Sequence, residues 1–135
     1  MFDTKVALIV RDDLAAWQKL NVVAFLATGV AAGAPEALGE PYEDAAGHRY
    51  GRMFGQPMLV FAAELNGLQA AHRQALSREF TIVPYVRAMF STGHDAANRE
   101  VFRAGDAANL DLVGLALHGP KKAVDKAVKG LALHA

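Results

Sequence analysis

Residues 5–11 read Lys-Val-Ala-Leu-Ile-Val-Arg, a continuous apolar run in which Val6, Ile9 and Val10 are β-branched. So short a run, with no polar alternation, predicts a strand covered on both faces. Such a strand needs helices above and below it, so these seven residues point to an α/β protein. Asp12 and Asp13 follow and suit the positive end of a helix start. From Leu14 to about Ala32 the residues are helix formers, with Leu14, Trp17 and Leu20 or Asn21 at helical spacing. Beyond Val22 that helix is apolar nearly all round, which calls for cover by the sheet and, we expect, by a second subunit.

Working outward, Pro57–Ala63 (PMLVFAA) predicts a second strand and Leu65–Arg78 an amphipathic helix. Phe80–Phe90 predicts a third strand, with Pro84 placing part of it at an edge or bulge. Asp95–Ala104 is a short helix with Thr92 or His94 near its start, and Leu110–Leu117 is the fourth strand. Gly119-Pro120 opens a last helix, with Pro in the first turn and Gly130 just past its end. Strands alternating with helices predict a three-layer α/β/α sandwich with a mostly parallel, four-stranded sheet. The segment between the first helix and the second strand, residues 34–56, holds Pro35, Pro41, two tyrosines and a cluster of glycines. It predicts a long ordered loop with a helical turn at Pro35–Leu38, and loops of that length tend to be functional or mobile.

The 135 residues fit one domain, 1–135, and 53% of them are hydrophobic, enough to bury a core. There is no cysteine, which removes disulfides and thiol chemistry and suits a reducing compartment. Lys and Arg number 14, as do Asp and Glu, so no basic excess favours nucleic acid as partner. Residues 1–5 carry no signal-peptide pattern. The longest apolar stretch, Val22–Ala34, is broken by Thr28, Gly29 and Gly33 and falls short of the ~20 residues that span a bilayer. The expectation is a cytoplasmic protein without a membrane segment.

Three stretches together, KVALIVRDDL, KLNVVAFLATGV and LVGLALHGPKKAVDKAVKGLALH, resemble the peptidyl-tRNA hydrolase II fold. More closely they resemble an uncharacterised bacterial family of that fold, a domain of unknown function. The resemblance implies α/β/α layers around a four-stranded mixed sheet with one strand antiparallel to the rest. The hydrolases carry a lysine early in the first helix, a glutamine one turn later and a histidine two turns later. Placing the lysine at Asn21 puts Phe25 and Thr28 in the other two positions, whereas placing it at Lys19 puts Val23 and Leu26 there. Either register loses the glutamine and the histidine. The hydrolases' Asp-Ala-Gly-Arg-Thr stretch has only Asp95-Ala96-Ala97-Asn98-Arg99 as a counterpart, differently spaced. The resemblance therefore implies the scaffold, and negligible peptidyl-tRNA hydrolysis.

Ligands of open α/β sheets bind beyond the carboxyl ends of the parallel strands. That favours Arg11–Asp13 and the helix after it, where Lys19 and Asn21 stand either as ligand contacts or as ordinary helix polar residues. The string Pro41–Tyr50 (PYEDAAGHRY) gathers Tyr42, Asp44, His48 and Tyr50. Asp44 could orient His48 as an acid–base pair, or could close an Asx-type turn toward Gly47 with the tyrosines anchoring the loop. His94 and Asp95 open a helix whose free amides suit an anion or simply an N-cap. No histidine or carboxylate spacing fits a metal, and no phosphate-binding glycine loop or serine nucleophile elbow is present, so no cofactor is expected. Two function classes remain. One is a domain that binds, or acts on, a small polar ligand at Asn21, His94 and the 39–56 loop. The other is a non-catalytic module that forms a homodimer or larger assembly through its first helix.

Overall fold

The computed structural model describes residues 2–135. β1 (Thr4–Arg11) is the apolar run and lies at the centre of the sheet, its residues Val6 to Val10 all buried. It pairs in parallel with β2 (Met58–Ala63), with Val6 opposite Met58. On its other side it pairs antiparallel with β4 (Leu112–Pro120), with Leu8 opposite Ala116. β3 (Thr81–Val86) pairs antiparallel with β4 and forms one edge, where Pro84 removes a backbone donor that an interior strand would need.

The sheet has five strands, not four, in the order β3-β4-β1-β2-β5. The extra strand, β5 (Ala132–Leu133), pairs antiparallel with β2 and covers its outer edge. Two strands, β4 and β5, thus run against the other three, where one was expected. Two residues are too few to display a side-chain period, so sequence patterning passes over β5.

α1 (Ala16–Gly33) packs on one face, with Val22, Leu26 and Val30 set against Val6, Leu8, Val10, Val113 and Ala116. With 3.6 residues per turn, side chains four apart fall in one row on the same face. Asp12 and Asp13 do not cap it. The N-cap is Ala15, whose amide donates to the Gln18 side chain three residues on. The opposite face carries α2 (Leu65–Leu76) and α4 (Lys121–Ala127), packed through Leu68, Ala71, Ala75 and Val124 onto Ala7, Ile9, Leu115 and Leu117. α3 (Asp95–Ala104) lies beside β3 and reaches this second core with Phe102. Helices on both faces give the three layers. The third strand is shorter than the apolar run suggests, since Arg87–Ser91 coil into a 3-10 turn.

Residues 34–56 form a hairpin rather than an irregular loop. After a 3-10 turn at Pro35–Ala37, Leu38 bridges Phe54 and Glu43 bridges Arg49. Between them Gly39 N–H donates to Met53 O, Tyr50 N–H donates to Tyr42 O, and Tyr42 N–H donates to Gly51 O. Phe54 roots the hairpin on the α1 side of the core, edge-on to His118. Every residue from Glu40 to Met53 is exposed, so neither Tyr42 nor Tyr50 anchors it to the core. Among the described residues, no helix is long and apolar enough to cross a membrane.

Candidate functional site

The carboxyl ends of β1 and β3 meet the start of β4, and charge collects there. Arg11 is held between Asp13 (3.0 Å) and Asp111 (3.4 Å) and also donates to Leu112 O, while Arg87 stands 3.7 Å from Asp111. The hydrogen bond to Arg11 lowers the Asp13 carboxyl, and Asp13 in turn raises the guanidinium. Arg11, Asp13, Asp111 and Arg87 are all paired, so the cluster reads as a clasp joining the strand ends. Lys19 reaches the His134 ring at 3.1 Å, which ties α1 to the residue after β5. Asn21 is exposed on α1.

At the hairpin tip, Asp44 gathers four bonds. Its Oδ1 accepts from the Ala46 and His48 amides, and its Oδ2 accepts from Tyr50 Oη (2.7 Å) and faces His48 Nδ1 (3.0 Å). The Tyr50 hydroxyl, then the His48 amide, hold this carboxyl below the usual range, and Asp44 raises Tyr50 in return. Gly47 supplies the positive φ (88°) that closes the turn. Asp44 thus closes the turn toward Gly47 and also meets His48, but the tyrosines do not anchor the loop. Tyr42 lies on the facing arm.

His94 is the N-cap of α3, its Nδ1 accepting from the Ala97 amide, and Asp95 pairs with Arg99 at 2.6 Å. The selected residues thus form three groups on three elements. Among the described residues no hydrogen bond joins the hairpin set to Lys19, Asn21 or His94.

A cleft of about 380 Å³ lies between α1, β3 and α3, and of the residues selected from sequence only Asp95 lines it. Its walls are apolar, formed by Phe25, Val83, Met89 and Phe102. Its polar residues are Tyr85, Asn98, Arg99 and Asp95, the last two paired with each other. Thr92 holds one end of the Asn98 amide, which leaves the other end for the cleft. Burial raises Tyr85, keeping it a neutral donor well past neutral pH. An aromatic row leads to this cleft from the start of α1, with Trp17 on Phe90 (6.1 Å), Phe90 on Tyr85 (5.3 Å) and Tyr85 on Phe25 (6.4 Å). Sequence reasoning missed these residues because they come from three separate elements. The one local signal was Asn98, Arg99 and Phe102 at helical spacing.

The solvent side of α1 carries a second feature. Trp17, Leu20 and Phe25 are 63%, 69% and 59% exposed, with Ala24 between them. Thr28 donates its hydroxyl to Phe25 O (2.6 Å), which leaves Asn21, exposed between Trp17 and Phe25, as the open polar group of this row.

An α/β/α sandwich with an aromatic-walled cleft, an apolar outer helix and a projecting hairpin is the class these features define. The family model for DUF2000, a protein family of unknown function, matches residues 4–135, and the chain belongs to that family. It is similar to a solved structure, the protein of unknown function Atu0240 from Agrobacterium tumefaciens strain C58. The two are 50% identical over 100% of each chain, with a TM-score of 0.96. No curated protein matches.

Proposed function

We propose that this protein binds a small ligand with a flat apolar body and a carbonyl or carboxylate end, in the cleft between α1, β3 and α3. The scaffold is read as peptidyl-tRNA hydrolase II-like, with the hydrolase chemistry set aside. The observation that carries the reading is the cleft's division of labour. Phe25, Met89 and Phe102 suit a ring, while Tyr85, Asn98 and Arg99 suit an acceptor at one end. A volume near 380 Å³ suits a ligand the size of a bicyclic ring. Asp95 lines this site and holds Arg99, while His94 serves it by capping α3. Binding rather than turnover is favoured because the side-chain carboxylate–histidine pair found among the described residues, Asp44 with His48, sits on the hairpin tip.

The test uses 2-naphthoate and 2-naphthamide as probes, followed by amide chemical shifts. Saturable shifts at Asn98, Arg99 and Tyr85 are expected, weakened at least tenfold by Asn98→Ala and, for the carboxylate more than the amide, by Arg99→Ala. An absence of saturable shifts at millimolar probe would overturn the reading.

A second reading rests on the exposure of Trp17, Leu20 and Phe25: the protein is a homodimer joined through α1. Lys19 and Asn21 then lie beside that contact, and the polar tip residues Tyr42, Asp44, His48 and Tyr50 belong to its outlying arm.

A further inference from the structure

The hairpin is the least explained part of the molecule. A free two-stranded hairpin is at best marginally stable in water. Residues 40–53 nonetheless hold a cross-linked ladder while touching no core, and Tyr42, Tyr50 and Met53 are each more than half exposed. Its root lies within five residues of the end of α1, whereas Trp17 and Leu20 lie at the start of that helix.

We propose that the hairpin is an arm that clasps a second copy of this chain, laying Tyr42, Tyr50 and Met53 over the start of the partner's first helix. The inference rests on the reading that α1 forms a dimer. In a two-fold dimer the same surface meets itself, and two first helices crossing antiparallel set the start of each beside the end of the other. That arrangement suits the shape of the row. Bulky Trp17 and Leu20 occupy one end, Thr28 and Ala32 the other, so large side chains meet small ones. It also carries each hairpin to the far end of the partner helix. α1 is about 27 Å long at 1.5 Å per residue, and an arm of seven extended residues reaches about 23 Å.

Area and charge agree with it. At their exposed fractions of 63%, 69% and 59%, Trp17, Leu20 and Phe25 offer together about 400 Å², taking roughly 200 Å² for a whole large side chain. A stable interface needs about 800 Å² from each partner. The α1 row alone falls short by half, and Tyr42, Tyr50 and Met53 supply most of the remainder. Asp12, just before α1, has no cation within ion-pair distance among the described residues, and Arg49, near the hairpin tip, has no anion. The antiparallel arrangement brings these two opposite charges together across the interface.

The test exploits the absence of cysteine from the chain, which makes every thiol an introduced one. Asp12→Cys combined with Arg49→Cys is expected to give, on mild oxidation, a covalent dimer that reduction reverses. Each single variant is expected to give much less. A disulfide within one chain would mean that the hairpin folds over its own helix and would overturn the proposal. Light scattering separates the two readings. Wild type is expected at twice the 14.4 kDa chain mass and Leu20→Glu at the chain mass. Replacing residues 40–52 with a two-residue turn is expected to weaken the dimer at least tenfold. An undiminished dimer in that deletion would remove the arm and leave the α1 contact standing. A monomeric wild type at tens of micromolar would remove both.

Discussion

At the scale of the residue, Asp44 and Tyr50 make opposite and testable statements about pH. Asp44 is lowered in the folded chain, so its support of the hairpin tip is complete above the unfolded value of ~3.9 and fades as pH falls through the lowered one. Tyr50 is raised, so its share is complete below ~10 and fades as pH rises through its own shifted value. Asp44→Asn removes the charge and most of the reason for Tyr50's shift. Phenol titration by ring-carbon NMR is expected to show Tyr50 moving back toward ~10 in that variant. Exchange of the Ala46 and His48 amides is expected to quicken. A Tyr50 titration unchanged by Asp44→Asn would mean that their 2.7 Å contact is not formed in solution. Global stability is expected to move little, because the whole tip is exposed.

At the scale of the element, the closeness of α1 to the sheet depends on residues that lack side chains. A Cβ built on Gly114 of β4 would overlap Val22 and press on Leu26, both buried on α1. One on Gly29 would come within 2.7 Å of both Val83 methyls. Gly114→Ala is therefore expected to cost about 1–3 kcal/mol, read as a lower urea midpoint, because the helix must lift from the strand. Gly93→Ala, with nothing within 4 Å of the new methyl, is expected to stay within about 0.5 kcal/mol of wild type. Legibility from sequence divides along the same line. Val6–Val10 declared β1 because burial on both faces leaves an unbroken apolar run, and Pro84 declared an edge. The hairpin arms declared nothing, since strands with no core beneath them need no alternation. The cleft was equally silent, because Tyr85, Asn98 and Phe25 meet only once three elements have packed.

At the scale of the whole molecule, the central pairing joins residues from opposite ends of the chain, with Thr4 opposite Pro120 and Val10 opposite Gly114. β4 in turn holds β3, so the β3 edge has no sheet to join until β4 is in place. A fragment of residues 1–104 lacks β4 and α4 and with them nearly half of the buried residues on the α2 face, along with Val113 and Ala116 beneath α1. It is expected to show no cooperative thermal transition by circular dichroism. A sharp transition in that fragment would mean that β1, β2 and their helices form a stable unit alone. For the intact chain the pairing implies slow, strongly non-local folding, on the millisecond-to-second side of the range for its size.

The same pairing bears on synthesis. A growing chain leaves the ribosome from its first residue, at about 5–20 residues per second. β1, the central strand, emerges long before its antiparallel partner β4. For the several seconds between, Val6 to Val10 and the sheet-facing row of α1 have nothing permanent to lie against. Residues 6–30 are therefore where a chaperone that binds exposed apolar segments is expected to hold a nascent chain.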